Sequence, residues 1–421
     1  MKLIMKIFLL MFLLVIVACQ ESEEVAVSDN NKTVENTEEV KNDEHNEDEE
    51  HEHEDEEHEH EDEEHEHDED KDHEHEEEAH DEDKDHEHED EHKHDEEEVH
   101  DDEHEIIEFL EVYNVPGIEN LLDLSWPREV EAMNGSITID EKPERILTIS
   151  TGHDEMIFGF ANLNNIVGVT SFSQSPGGNI YELTKDMPTI TSEIETIVAQ
   201  NPDIVFADPY ANANLMQSLV ELGITVVQTQ LNNTSEGRIN DILFAAYVLD
   251  ELEGSMMLID AINEQIEFIE FMKSNIGNSD LDQDILSVTY YDAYWAAGTG
   301  STEGSIIELA GYNNIASEKG VESNNMITKE SLIDMSPDVI AIPQSVEWGG
   351  QDFYDTLMSD VSFTSIPAVV NEKVFMVNTS HFTTLSHFNI LGSIDLIDLI
   401  EPNFFDDVER PVLKACYQCY E

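Results

Sequence analysis

Asn201-Pro202-Asp203-Ile204-Val205 and Ser336-Pro337-Asp338-Val339-Ile340 are the two stretches whose reading decides the fold. In each, a proline stops whatever helix precedes it, and Pro-Asp opens an apolar run with the length and β-branched content of a buried strand. A glutamate stands at the same distance before both, Glu195 seven positions ahead of Pro202 and Glu330 seven ahead of Pro337. Ser192 and Thr328 offer polar caps to the intervening helices, and Ser192 with Glu195 three residues later has capping-box spacing. A unit of cap, short helix, proline stop and strand therefore occurs twice, which predicts two equivalent lobes.

Reading outward from these units gives the rest of the architecture. Strand-like runs at 145–150, 165–170, 203–208 and 225–229 alternate with helical segments, the βαβ rhythm of a parallel sheet. A hairpin over 128–133 and 136–140, turning at Asn134-Gly135, comes before them. A second series follows at 285–291, 338–343 and 373–378. Between the two series, Ile239, Ile242, Leu243, Ala246, Leu249, Leu252, Ile262, Ile266 and Ile269 recur at helical spacing, and Gly254-Ser255 is the place for a bend. The expected fold class is α/β: two βα lobes joined by one long backbone helix, with a ligand cleft between them. The expected segments are an N-lobe with its leading hairpin at 106–234, a linking helix at 235–277 and a C-lobe with the C-terminal tail at 278–421.

With these pieces in order the chain resembles the substrate-binding lipoproteins of ABC importers for ferric siderophores, haem and cobalamin. Lys142-Pro143-Glu144-Arg145-Ile146, Ile166-Val167-Gly168-Val169-Thr170 and the first Pro-Asp unit carry the resemblance in the N-lobe, with Leu222-Gly223-Ile224-Thr225-Val226-Val227. Gly304-Ser305-Ile306-Ile307-Glu308-Leu309-Ala310-Gly311 and the second Pro-Asp unit carry it in the C-lobe, so that it spans about residues 126–402. It implies two lobes bridged by a helix, limited hinge motion and no catalytic activity. It also implies an ABC permease as partner, on whose arginines Glu195 and Glu330 dock, one from each lobe.

The N-terminus is of a different character. Lys2 and Lys6 precede an apolar run from Ile7 to Ala18, too short for a comfortable span of about 20 residues and typical of an export signal. Ile16-Val17-Ala18-Cys19 resembles a lipobox, which implies a signal peptide at 1–18 and lipidation of Cys19, tethering the exported protein to the outer side of a bacterial membrane.

Residues 19–105 then form an acidic, histidine-rich tract. From Glu21 to Glu105 there are 48 acidic residues against 5 lysines, with 16 of the 19 histidines, which accounts for −43 of the formal charge of −80. Such a segment cannot bury a core, and like charges extend it into a solvated, disordered tether. Histidines recur in it as His-x-His pairs, partly on a seven-residue repeat: His51 with His53, His58 with His60, His65 with His67, His73 with His75, His86 with His88 and His92 with His94. On an extended chain residues i and i+2 point the same way, so each pair offers two imidazoles to one divalent ion, with carboxylates nearby. The tract is expected to bind divalent metal, less well below neutral pH as protons compete; no resident cofactor is expected.

The folded part is also acidic, at −39 over residues 106–421. Nucleic acid is excluded as a partner, since phosphate contacts need clustered cations. No arginine stands at an expected cleft position, so the charge favours a neutral or cationic ligand over an anionic one. Ligands of α/β sheets bind beyond the carboxyl ends of the strands, which nominates His153, Tyr210, Tyr290, Tyr291, Tyr294, Trp295, Trp348, His381 and His387. Two modes can be drawn from these. The aromatics can wall a large flat chelate, or the histidines can ligate a metal, so a binding protein or surface buffer for bare zinc, nickel or cobalt is the alternative. Gly298-Thr299-Gly300-Ser301 lacks the Lys of a phosphate loop, and Asp154 and Glu155 beside His153 fit a helix start as well as acid–base chemistry. Cys416 and Cys419 suit a local disulfide outside the cytoplasm.

Overall fold

A computed structural model describes residues 104–419, with 403, 404 and 406 excepted. Strands β1 (Arg128–Ala132) and β2 (Gly135–Ile139) form the leading hairpin. The Asn134 side chain fastens it, donating to the Val226 carbonyl at 2.8 Å and accepting from the Gln228 amide at 2.9 Å.

The N-lobe sheet is wholly parallel, in the order β5-β4-β3-β6-β7. Its members are β3 (Ile146–Thr148), β4 (Ile166–Thr170), β5 (Thr189–Ile190), β6 (Ile204–Ala207) and β7 (Thr225–Gln228). Every residue of β3 and β6 is buried, the signature of central strands covered on both faces. Helix α1 (Thr151–Phe160) follows β3, and the five-residue α2 (Ile194–Val198) precedes β6.

The linking element breaks at a different place from the expected bend at Gly254-Ser255. It comprises α3 (Ser235–Leu249) and the 24-residue α4 (Leu252–Asn275), and the chain turns at Asp250, which takes the left-handed conformation at φ +57°. The Asp250 carboxylate accepts from the buried Arg128 guanidinium at 2.5 Å, and Arg128 lies between the rings of Trp126 and Tyr247. Gly254 has another task than bending: a Cβ there would sit 1.9 Å from the Phe160 carbonyl oxygen, so its absence lets α4 lie directly on α1.

The C-lobe sheet is mixed, in the order β11-β9-β8-β12-β13, with β10 beside the start of β8. Its strands are β8 (Asp284–Tyr290), β9 (Tyr294–Ala297), β10 (Asn313–Asn314), β11 (Asn324–Ile327), β12 (Val339–Ile342) and β13 (Val374–Met376). Strands β8, β12 and β13 are parallel as expected, whereas β9 and β11 add an antiparallel extension. Helix α5 (Thr302–Leu309) follows β9, α6 (Lys329–Met335) precedes β12, and α7 (Asn389–Ile400) closes the lobe.

The two Pro-Asp units match in atomic detail. Asn201 and Ser336 both take positive φ, at +48° and +51°. The Asp203 carboxylate accepts the Glu144 and Arg145 amides at 2.9 and 2.8 Å, and the Asp338 carboxylate accepts the Asp284 amide at 3.1 Å. Each aspartate thereby clamps the start of a neighbouring strand. The capping differs between the units. Thr328 caps α6 by accepting the Ser331 amide, but α2 begins behind Glu193 without a side-chain cap, so Ser192 forms no capping box.

One apolar core runs from Ile146 and Phe206 in the N-lobe, through Leu258, Ile262 and Ile269 of α4, to Ile306, Ile394 and Ile397 in the C-lobe. A core continuous across the junction opposes free rotation of the lobes. The tail carries a Cys416–Cys419 disulfide.

Candidate functional site

Beyond the carboxyl end of β8 the chain turns through Asp292, at φ +58°, and returns as β9. Gln344 holds this turn: it accepts the Tyr290 amide at 2.9 Å and donates to the carbonyls of Tyr290 and Trp348 at 2.9 and 2.5 Å. The β8–β9 tip and the segment carrying Trp348 are thereby tied together. Tyr290 and Tyr294 lie 4.9 Å apart between ring centroids, and both pack on Phe353. Tyr294 also meets Phe363, which places it against the C-lobe core rather than on an open wall. Tyr291 is half exposed, Trp295 about a third, and Trp348 stands 69% exposed.

Tyr291 and Trp295 border a cavity of about 190 Å³. Alternation along the strands puts Ser287, Thr289 and Tyr291 of the β8 arm on the face shared with Trp295 and Ala297 of β9, and β11 adds Asn324 opposite Ala297. The N-terminal turn of α5 brings in Glu303 and the end of β12 brings in Pro343. Glu303 is only 7% exposed, and burial raises its pKa above the usual carboxylate range. Sequence reading missed Glu303 because a carboxylate at a helix start has an ordinary explanation in the helix dipole.

The histidines are placed otherwise than expected. His153 is fully buried, its Nδ1 at 2.7 Å from the Ser150 hydroxyl and its Nε2 at 2.7 Å from the Thr229 hydroxyl, so both nitrogens are engaged. His387 is fully buried too, its ring edge against Gly159 of α1. Burial first, then the charge of Arg238, pushes both imidazoles down to about 3. With both nitrogens of His153 held by hydroxyls, and no group of three His, Cys, Asp or Glu placed to hold a metal among the described residues, the expectation that these two rings ligate one is not supported. His381 pairs with the Asp395 carboxylate at 2.6 Å through Nδ1. Tyr210 stands apart at 88% exposure.

Below the cleft the lobes meet in a polar seam. Glu155 of α1 accepts from Asn179 at 3.0 Å in its own lobe and from the Thr384 and Ser386 hydroxyls of the C-lobe. Asn179 also donates to the Ser380 carbonyl at 2.8 Å. On the other flank, Asn233 donates to the Gly300 carbonyl at 2.7 Å and accepts from Thr302 at 2.9 Å. Arg238, in the first turns of α3, is fully buried, and the charges of Glu155 and Asp241 face it. Arg238 lies buried in this seam and borders no part of the cavity, whose lining holds no arginine. Asp154 accepts from Thr148, Thr170 and Ser173 inside the N-lobe, so it is a staple rather than an acid–base group.

Glu195 and Glu330 are exposed, one on each lobe, in the first turn of α2 and of α6. Cys19, the expected lipidation site, lies outside the described residues. So do all six histidine pairs expected to take metal: His51 and His53, His58 and His60, His65 and His67, His73 and His75, His86 and His88, and His92 and His94.

Two α/β lobes, a bridging helix and a cavity on the C-lobe sheet near the ends of β8 and β12 define a two-lobed solute-binding protein. The comparisons make the class specific: the family model for periplasmic binding proteins matches residues 146–379, and the chain belongs to that family. A cobalamin-binding protein of Halobacterium salinarum is 22% identical over 262 residues, covering 60% of this chain and 68% of that one. The molybdate-binding protein MolA of Haemophilus influenzae is 23% identical over 271 residues, covering 58% and 76%. Among solved structures, the periplasmic haem-binding protein RhuT of Roseiflexus in its apo form superposes with a TM-score of 0.52 at 20% identity, over 61% of this chain and 97% of that one. Membership makes the chain an exported, non-enzymatic component of ABC transport.

Proposed function

We propose that this protein captures a metal chelate of the siderophore, haem or cobalamin type between its lobes and delivers it to an ABC permease. The observation that carries the reading is the cavity beside Tyr291 and Trp295, formed where the strands of the C-lobe end. Its aromatic borders suit a flat or amphipathic ligand, and the absence of a histidine cluster among the described residues speaks for a chelate over a bare ion. At about 190 Å³ the cavity is smaller than a typical ligand pocket of roughly 300–1,000 Å³, so it receives one edge or arm of the chelate and the rest lies in the open cleft. The relatives named for cobalamin and haem bind ligands of this kind. The relative named for molybdate binds an oxyanion, for which this cavity, with Glu303 on its wall, is unsuited.

In this reading Cys19 carries the lipid anchor, and Glu195 and Glu330 dock on the permease. The His-x-His pairs of the tract hold divalent metal at the membrane surface. The test is the absorption spectrum and metal content of the purified full chain, followed by titration with cyanocobalamin, haemin, ferric hydroxamates, zinc and nickel. Saturable binding of one chelate at one site per chain is the expected result. Tight binding of a bare ion by residues 106–421 with no response to any chelate sinks the reading.

A further inference from the structure

The cavity has a definite polarity. Glu303 lies at the second position of α5, behind its N-cap Ser301, and is buried on the cavity wall. An ionised carboxylate offers about four acceptor positions, yet the side chain of Glu303 receives one donor from another side chain, the Asn324 amide at 3.3 Å, besides its own backbone N–H. Ser287, on the same wall, is buried with its hydroxyl unpartnered. The carboxylate is therefore short of hydrogen-bond donors, which a ligand can bring, and the Ser287 hydroxyl, able to accept or donate, is without a partner. Tyr291 and Trp295 border the same space, and aromatic faces favour a cation close by. Thr302, next to Glu303, bonds to Asn233 of the N-lobe, so the carboxylate sits one residue from the lobe junction.

We infer that this cavity is an N–H donor subsite: it takes an ammonium or amide group of the ligand on Glu303 and excludes ligand carboxylates. The inference rests on the cleft being the ligand site. It narrows the ligand to chelates bearing pendant amines or amides. An anionic periphery would face a desolvated carboxylate with no cation lining the cavity. The raised pKa of Glu303 agrees with a buried charge that no cation of the protein compensates.

The test uses the full chain and small probes, so that it stands apart from the identity of any chelate. Butylammonium, propionamide and propionate are titrated while the indole N–H resonance of Trp295 is followed, assigned through Trp295→Phe. The wild type should give a saturable shift with butylammonium, a weaker one with propionamide and none with propionate. Glu303→Gln preserves size and should weaken butylammonium roughly ten- to a hundredfold, the range of a lost charge-assisted hydrogen bond. No saturable shift in the wild type, an equal shift in Glu303→Gln, or propionate binding as well as the amine would overturn it. A chain that binds butylammonium through Glu303 but no chelate keeps the subsite and loses the chelate reading. A chelate bound alike by wild type and Glu303→Gln, with butylammonium silent, loses the subsite and keeps the chelate reading.

Discussion

The two lobes share one unit and build different sheets around it. Both open a central strand with Pro-Asp behind a residue at positive φ, and both use the aspartate to clamp a neighbouring strand start. The main N-lobe sheet holds only parallel strands, and its polar residues beyond the strand ends turn inward: His153 to Ser150 and Thr229, and Asp154 to Thr148, Thr170 and Ser173. The C-lobe adds the antiparallel β9 and β11, and with them the surface that holds Tyr291, Trp295, Asn324 and Glu303 around a cavity. The N-lobe is a satisfied wall; on the proposed reading the C-lobe carries the recognition chemistry.

The largest expected effect breaks that asymmetry directly. Trp295→Ala should cost the ligand roughly ten- to a hundredfold in affinity, as a half-buried aromatic anchor does, whereas Tyr210→Ala on the N-lobe side should stay within about threefold. Equal losses in the two variants would mean that both lobes grip the ligand.

The seam between the lobes is probed by pH. Folded His387 stays neutral down to about pH 3, while in the unfolded chain it protonates near 6.5. Its contribution to stability is thus complete above pH 6.5 and is lost as pH falls from there towards 3. Between pH 7 and 4.5 the loss is roughly 2–3 kcal/mol. His153, also lowered to about 3, adds a loss of the same sign, while Asp154 and Asp241, each raised to about 6 by burial, work in the opposite direction, so the wild-type curve alone does not isolate His387. Comparing urea unfolding of wild type and His387→Gln isolates the histidine: the wild-type advantage should shrink on acidification by that amount. A difference constant with pH would place the ring in solvent.

Permease docking by both lobes is a symmetric claim. Reversing either Glu195 or Glu330 to arginine should lower transport about tenfold at limiting ligand with affinity for the ligand unchanged, and reversing both should lower it further. An effect confined to one lobe would break the symmetry. The most local of the shared features is the strand clamp. Asp203→Ala removes acceptors from two amides and should cost about 1–2 kcal/mol, with Asp338→Ala, which frees one, costing about half of that.

The repeated Pro-Asp unit and the parallel strands were legible because β3, β6, β8 and β12 are apolar runs bounded by breakers. Strands β9 and β11 were not. Asn324-Asn325-Met326-Ile327 has low strand propensity and is an edge partly exposed to water, so only its pairing with β9 makes it a strand. The turn at Asp250 was hidden because a non-glycine residue there adopts the left-handed conformation, while Gly254, the obvious breaker, serves close packing. The strand-end rule nominated His153 and His381, with His387 at the next helix, but says nothing of side-chain direction, and the rings of His153 and His387 are fully buried. The aromatic half of the candidate site was therefore readable, and its acidic half was not.

The division of labour between a chelate-binding folded region and a metal-holding tract can be measured in one pair of titrations. The full chain and a form lacking residues 21–105 are each titrated calorimetrically with the chelate that the wild type binds and with zinc. The chelate should bind both forms with dissociation constants within about twofold, and the multi-site zinc uptake should disappear with the tract. Chelate affinity lost with the tract, or zinc uptake retained in full without it, would contradict the assignment of ligand to lobes and metal to tether.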